Sequence, residues 1–91
     1  MTLVDANVLL YAVDRSARHH VEAHAWLDRA LSGRETVAMP WICLLAFLRI
    51  ATHPAVYARP LDASQALDVV EAWVGLRNVI VPSVGSEHLP A

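Results

Sequence analysis

The opening of the chain, Met-Thr-Leu-Val-Asp-Ala-Asn-Val-Leu-Leu, constrains the fold more than any other stretch. Thr2, Leu3 and Val4 form a short apolar run that reads as a buried strand. Asp5 breaks the run, and residues 6–13 are then apolar except for Asn7, which predicts a helix. The unit is strand, carboxylate, helix. In open α/β sheets ligands bind at the carboxyl ends of the strands, so Asp5 stands where a metal ion gripping a phosphate-bearing substrate would be held. The same residue in the same place is also among the commonest N-caps, because its oxygen accepts an unpaired N–H of the first helical turn. Residue type and spacing leave both uses open. Because this strand starts the chain, we expect it to lie at the centre of the sheet.

The rest of the chain alternates helices with short strands. Residues 19–31 carry a broad apolar stripe of Val21, Ala23, Trp26, Leu27, Ala30 and Leu31, closed by Ser32-Gly33 with Gly33 suited to a C′ position. Residues 36–39 read as a second strand. Pro40 pre-organises the first turn of a third helix over residues 41–51. That helix is apolar nearly all round, and Arg49 is its one charge. Such a helix is buried on most sides or buries one side against another chain. Asp62-Ala63-Ser64-Gln65 matches a capping box and opens a fourth helix reaching about Val74, with Gly75 after it. Residues 78–81 read as a third strand, and Pro82 ends it. The order β-α-α-β-α-α-β predicts an α/β fold with a parallel sheet in one domain, residues 1–91.

Composition removes several classes of function. At 56% hydrophobic and 18% charged residues the chain is too apolar for disorder. A formal net charge of −2 gives no electrostatic footprint for nucleic acid. The single cysteine, Cys43, sits in an apolar run and reads as a small core residue, so a reducing cytoplasm is expected. There is no basic leader with a long apolar segment, and no apolar run approaches the roughly 18 residues that a spanning helix needs. A membrane location is therefore not expected.

The residues LVDANVLLYAVD, HHVEAHAWLDRAL, WICLLAFLRIATHP, LDASQALDVVEAWV and NVIVP together resemble a PIN domain, specifically the VapC-type toxins of type II toxin–antitoxin systems. The resemblance runs along essentially the whole chain. It implies a three-layer α/β/α fold with a parallel sheet, of which this chain would be the N-terminal part, lacking the last helices and strands. It implies a metal-dependent endoribonuclease in which clustered carboxylates hold Mg²⁺ or Mn²⁺, and the ion activates water and stabilises charge on the scissile phosphate. Asp5 matches the first acidic residue of that site and would be a catalytic metal ligand. Asn7 matches the polar position that orients it or a bound water. The resemblance also implies a cognate VapB-like antitoxin, an RNA substrate and a homodimer.

Two departures stand against this. Ala46 occupies the position where the family carries a Glu three residues before an Arg, here Arg49. The family's other acids lie beyond the third strand, on elements that this chain does not reach. A single carboxylate binds Mg²⁺ poorly, because the ion dehydrates reluctantly. Asp14 and Glu87 are the remaining candidates, Asp14 reading more simply as a loop residue. The alternative is a catalytically inactive remnant that only binds an antitoxin, with the third and fourth helices as walls of a helix-binding groove. A phosphoryl-transfer enzyme with Asp5 as nucleophile is a further alternative, though Asn7 stands where such enzymes carry a second Asp.

Other polar residues have simpler readings. His20 and His24 have i, i+4 spacing that can hold zinc, but they lack the HExxH pattern and read as a solvated helix face. His53 reads as a helix-end residue. Arg49 reads equally as a phosphate or carboxylate partner and as a snorkelling surface residue. Trp26, Trp41 and Trp73 read as core.

Overall fold

Each helix begins where the sequence supplies a residue that fixes its first turn. In the computed structural model, which describes residues 1–83, the order is β1 (Thr2–Leu3), α1 (Ala6–Val13), α2 (His20–Ser32), β2 (Val37–Ala38), α3 (Trp41–Ala51), α4 (Ala63–Val74) and β3 (Val79–Ile80). Asp5 caps α1. Pro40 starts α3, its carbonyl accepting from Leu44 N–H at 3.1 Å. At α4 the capping box is complete: Asp62 Oδ1 accepts from Gln65 N–H at 2.8 Å, and Gln65 Oε1 accepts from Asp62 N–H at 3.0 Å. Gly33 and Gly75 end α2 and α4 as expected, but neither takes the left-handed conformation of a C′ glycine. At Gly75 the reason for glycine is close approach, since a Cβ there would lie 3.1 Å from the Glu71 carbonyl oxygen.

The described strands form a parallel sheet in the order β1-β2-β3, with Leu3, Ala38 and Ile80 in register. This corrects the expectation that the first strand is central. β2 is central among the described strands, and β1 lies at an edge. The strand that starts a chain becomes central only if later strands add to its other side. Here both crossovers carry the chain the same way, from β1 through β2 to β3.

Strand order and handedness decide where the helices go. A connection between parallel strands is almost always right-handed. Two right-handed crossovers that advance in one direction deliver both helix pairs to the same face. The core agrees. Val4, Val37, Met39 and Val79 point to one face by the two-residue alternation of strands, and they join Leu9, Leu27, Leu44, Phe47, Val70 and Trp73 in one buried cluster. Leu3 and Ile80 point to the other face and are 67% and 45% exposed. The described residues thus build two of the three layers expected, a sheet and one helical layer.

Phe47 of α3 meets Trp73 of α4 edge-on, with ring centroids 5.0 Å apart. Trp73 is buried as expected, but Trp26 and Trp41 are 37% and 52% exposed, which corrects their reading as core residues. Asn78 ties the amino end of the sheet together. Its Nδ2 donates toward the carbonyl oxygens of Ala30, Gly33 and Glu35 at 3.2, 3.3 and 3.2 Å. One side chain thereby fixes the turn between α2 and β2 against the start of β3.

The Met1 ammonium pairs with Glu35 Oε1 at 2.8 Å, with both groups exposed. That hydrogen bond, with a second from Thr2, holds the Glu35 carboxyl below its usual value of 4.5. A lowered folded-state pKa contributes stability that is present above the unfolded value and lost as pH falls through the folded one. Glu35→Gln is therefore expected to lose, at neutral pH, the small stabilisation that this exposed pair supplies and to match the wild type at low pH, which flattens the acid limb of the stability curve below about pH 4.5, as read by thermal unfolding across pH. Asn78→Asp sets an oxygen against three carbonyl oxygens and is expected to cost about 2–4 kcal/mol, against about 1 kcal/mol for Asn78→Ala, in urea denaturation.

Candidate functional site

The carboxyl edge of the sheet gathers the end of β1 at Asp5, the start of α3 after β2, and the chain leaving β3 at Pro82. Trp41 N–H donates to the Pro82 carbonyl at 3.2 Å, which closes this edge. Asp5 is exposed, and its Oδ1 accepts from Val8 N–H at 3.1 Å. Asn7 lies in the first turn of α1 and is also exposed. The capping use read for Asp5 is therefore realised. One oxygen caps a helix, and the group as a whole faces solvent at the ligand-binding edge.

The surroundings of Asp5 test whether a metal fits. Among the described residues, no three of His, Cys, Asp or Glu come together in a group able to hold a metal ion. Mg²⁺ prefers near-octahedral oxygen coordination and usually takes more than a lone carboxylate where substrate oxygens are absent. Residues 1–83 on their own do not fit such a centre. Glu87, the other carboxylate candidate, lies outside the described residues.

The remaining polar candidates have local employment. Asp14 Oδ1 accepts from Ser16 N–H at 3.0 Å and from Ser16 Oγ–H at 2.7 Å, the bond of a loop residue. His20 Nδ1 lies 2.9 Å from the Tyr11 carbonyl, so the proton belongs on Nδ1, and the ring ties α2 to α1. His24 lies beside it, ring centroids 5.5 Å apart, with no third ligand among the described residues. His53 Nδ1 accepts from Ala55 N–H at 3.0 Å and shapes the turn after α3. Cys43 is half-buried.

Arg49 is exposed at the rim of a cleft of about 700 Å³ between α3 and α4. Ile42, Leu45 and Leu67 form its walls, with Ala46, Ala63 and Ala66 also lining it. Ile42 is 69% exposed. No carboxylate of the described residues pairs with Arg49, which leaves the phosphate-partner and snorkelling readings side by side. Ala46, the substituted acid position, gives this cleft a small side chain where Glu would project a charge. A second cleft of about 180 Å³ has Leu10, Phe47 and Leu61 in its lining and Arg15, Tyr57 and Arg59 among its polar residues. Burial pushes the Tyr57 hydroxyl above its usual value, and Asp14 and Tyr11 add to this. Nothing in the pattern of residues 55–60 announced this second cleft, because it forms only when the loop folds back over α1 and α3.

A parallel sheet that presents an acidic residue and helix starts at its carboxyl edge belongs to the α/β class that handles ligands at the strand ends. No protein-family model matches the chain. It is 41% identical over 88 residues to Ribonuclease VapC37 of Mycobacterium tuberculosis (strain ATCC 25618 / H37Rv), an alignment covering 97% of this chain and 61% of that protein. Ribonuclease VapC33 of the same organism is 37% identical over 89 residues, covering 98% of this chain and 62% of the relative. Ribonuclease VapC31 is 32% identical over 89 residues, covering 98% and 63%. The chain is thus a homologue of the VapC ribonucleases along nearly its whole length, and it spans about three-fifths of theirs.

Substitution at Asp5 separates its two uses. Asp5→Ala is expected to lower stability by about 0.5–2 kcal/mol, the ordinary loss of a cap, and Asp5→Asn by only a few tenths, since Asn caps nearly as well. Urea denaturation without divalent metal reads both values.

Proposed function

We propose that residues 1–91 are the N-terminal part of a PIN-domain ribonuclease, the toxic component of a type II toxin–antitoxin system acting in the cytoplasm. Homology to the VapC ribonucleases over 97% of the chain, together with Asp5 at the carboxyl end of the first strand, carries this reading. Asp5 is the catalytic metal ligand that this part contributes, and Asn7 orients it or a bound water. The ion is Mg²⁺, with Mn²⁺ as a substitute of similar hardness. When bound, it supplies an activated water and charge stabilisation on the scissile phosphate. The additional carboxylates come from outside residues 1–83. The substrate is RNA, the partner is a VapB-like antitoxin, and two copies form a homodimer.

No helix of the described residues is long and apolar enough to cross a membrane. The cleft between α3 and α4 suits an amphipathic helix laid into a groove, and it is where we place the antitoxin.

A second reading rests on Ala46 and on the lack of a carboxylate cluster among the described residues. In it, residues 1–91 cut nothing and act only by holding an antitoxin. RNA cleavage by the folded chain with Mg²⁺ or Mn²⁺ decides between them. On the first reading Asp5→Ala abolishes cleavage while Asn7→Ala lowers it roughly 10–100-fold, the usual effect of removing a group that orients a ligand. A folded wild-type chain that cleaves no RNA, yet co-purifies with a cognate antitoxin, establishes the second.

A further inference from the structure

We infer that His20 and His24 of α2 form a binding site for a transition-metal ion of intermediate softness, with Zn²⁺ as its simplest occupant. The site lies beside the last turn of α1, at the other end of that helix from Asp5, and it needs no nuclease activity. It takes a different class of ion from the hard, oxygen-seeking Mg²⁺ of the proposed reading, because imidazole suits Zn²⁺, Cu²⁺ and Ni²⁺.

The spacing sets both rings on one side of the helix, since residues four apart are neighbours one turn along. Their centroids lie 5.5 Å apart, with the planes inclined at 43°. Two imidazoles bound to one tetrahedral ion at about 2.0–2.1 Å hold their centroids about 5 Å apart. The pair therefore stands near the chelating separation, and a small turn of one side chain closes it. His24 can make that turn. It is exposed and has no hydrogen bond among the described residues.

The state of His20 separates this pair from an ordinary solvated face. Its Nδ1 lies 2.9 Å from the Tyr11 carbonyl oxygen, which can only accept. In the neutral ring the proton is therefore on Nδ1 and the free lone pair on Nε2. Metal-binding histidines are commonly held in this way, with the other ring nitrogen donating to a carbonyl or carboxylate that fixes the tautomer and orients the ring. Tyr11 belongs to the last turn of α1, which carries no basic residue. The negative end of α1 thus meets this corner and offsets the positive end of α2, where His20 is the first helical residue. Asp28, one turn beyond His24, lines a cleft with it and adds a carboxylate on the same helix. No third side chain among the described residues completes the set, so water fills the remaining positions and the ion exchanges readily. Bound there, it clamps the first turn of α2 to the end of α1.

Titration of the whole 91-residue chain with Zn²⁺, without affinity-tag histidines, tests the site. The expected result is that the ring resonances of His20 and His24 shift together in NMR. The midpoint of thermal unfolding rises by roughly 5–10 °C at ten times Kd. His24→Ala puts a strong helix former at an exposed position, so the fold tolerates it. It weakens binding at least about tenfold with unchanged circular dichroism. His24→Ala with Ala25→His keeps the number of imidazoles but moves one out of register, and it binds no better than His24→Ala alone. Asp5→Asn leaves this binding as it was. A wild-type chain whose His20 and His24 resonances do not respond to Zn²⁺ overturns the site. So does binding that survives His24→Ala or is lost with Asp5→Asn, because the ion then sits elsewhere. His20→Ala would break the Tyr11 bond as well as remove a ligand, so His24→Ala is the variant that reads the site.

Discussion

Two right-handed crossovers that step the same way across a sheet can serve only one of its faces, and nearly everything else in this molecule follows from that. The buried residues of β1, β2 and β3 are those of one parity, Val4, Val37, Met39 and Val79, and all the helices contribute to the core above them. The opposite parity is left to Leu3, Ala38 and Ile80. The same rule fixes the functional edge. Parallel strands share a carboxyl end, so α1 and α3, each following its strand directly, both begin there. Asp5 sits at that edge because β1 runs in that direction, whatever the capping preferences of its neighbours.

How much of this was legible in the sequence depends on the range of the interaction. Features set within a few residues were readable. Asp5, Pro40 and the Asp62/Gln65 box give starts for α1, α3 and α4 that the structure reproduces. The parallel α/β class followed from alternation of strands and helices. Features set by pairing across the chain were not readable. The place of β1 in the sheet depends on which strands join its free side, and no local residue encodes that. The exposure of Trp41 follows from which side of α3 meets α1 and α4, and a helix apolar all round gives no periodicity to read. Asn78 illustrates the same limit: before strand β3 it looks like an ordinary turn residue, and its three acceptors lie 43 to 48 positions earlier.

The candidate site was legible in kind but not in completeness. A carboxylate at the end of a strand and before a helix serves equally as cap and as ligand, and the residues alone do not choose. The structure shows the capping bond and solvent exposure together. The capping bond and the proposed metal contact thus fall on one side chain, and a substitution that removes the charge while keeping the cap separates them. Ala46 shows the complementary case. Its meaning came from comparison with a pattern, and the structure adds that its small side chain widens an apolar cleft beside the fourth helix.

The pairing of the Met1 ammonium with Glu35 has a practical consequence for handling the protein. The interaction needs a free amino terminus. An affinity tag or acetyl group placed there would replace the ammonium by a neutral amide and release Glu35 from its partner, and a tag would run additional chain from the first residue of β1 past the edge that β1 forms among the described strands. Added residues at that point could pair with the edge as a surrogate strand and alter association without touching any core residue.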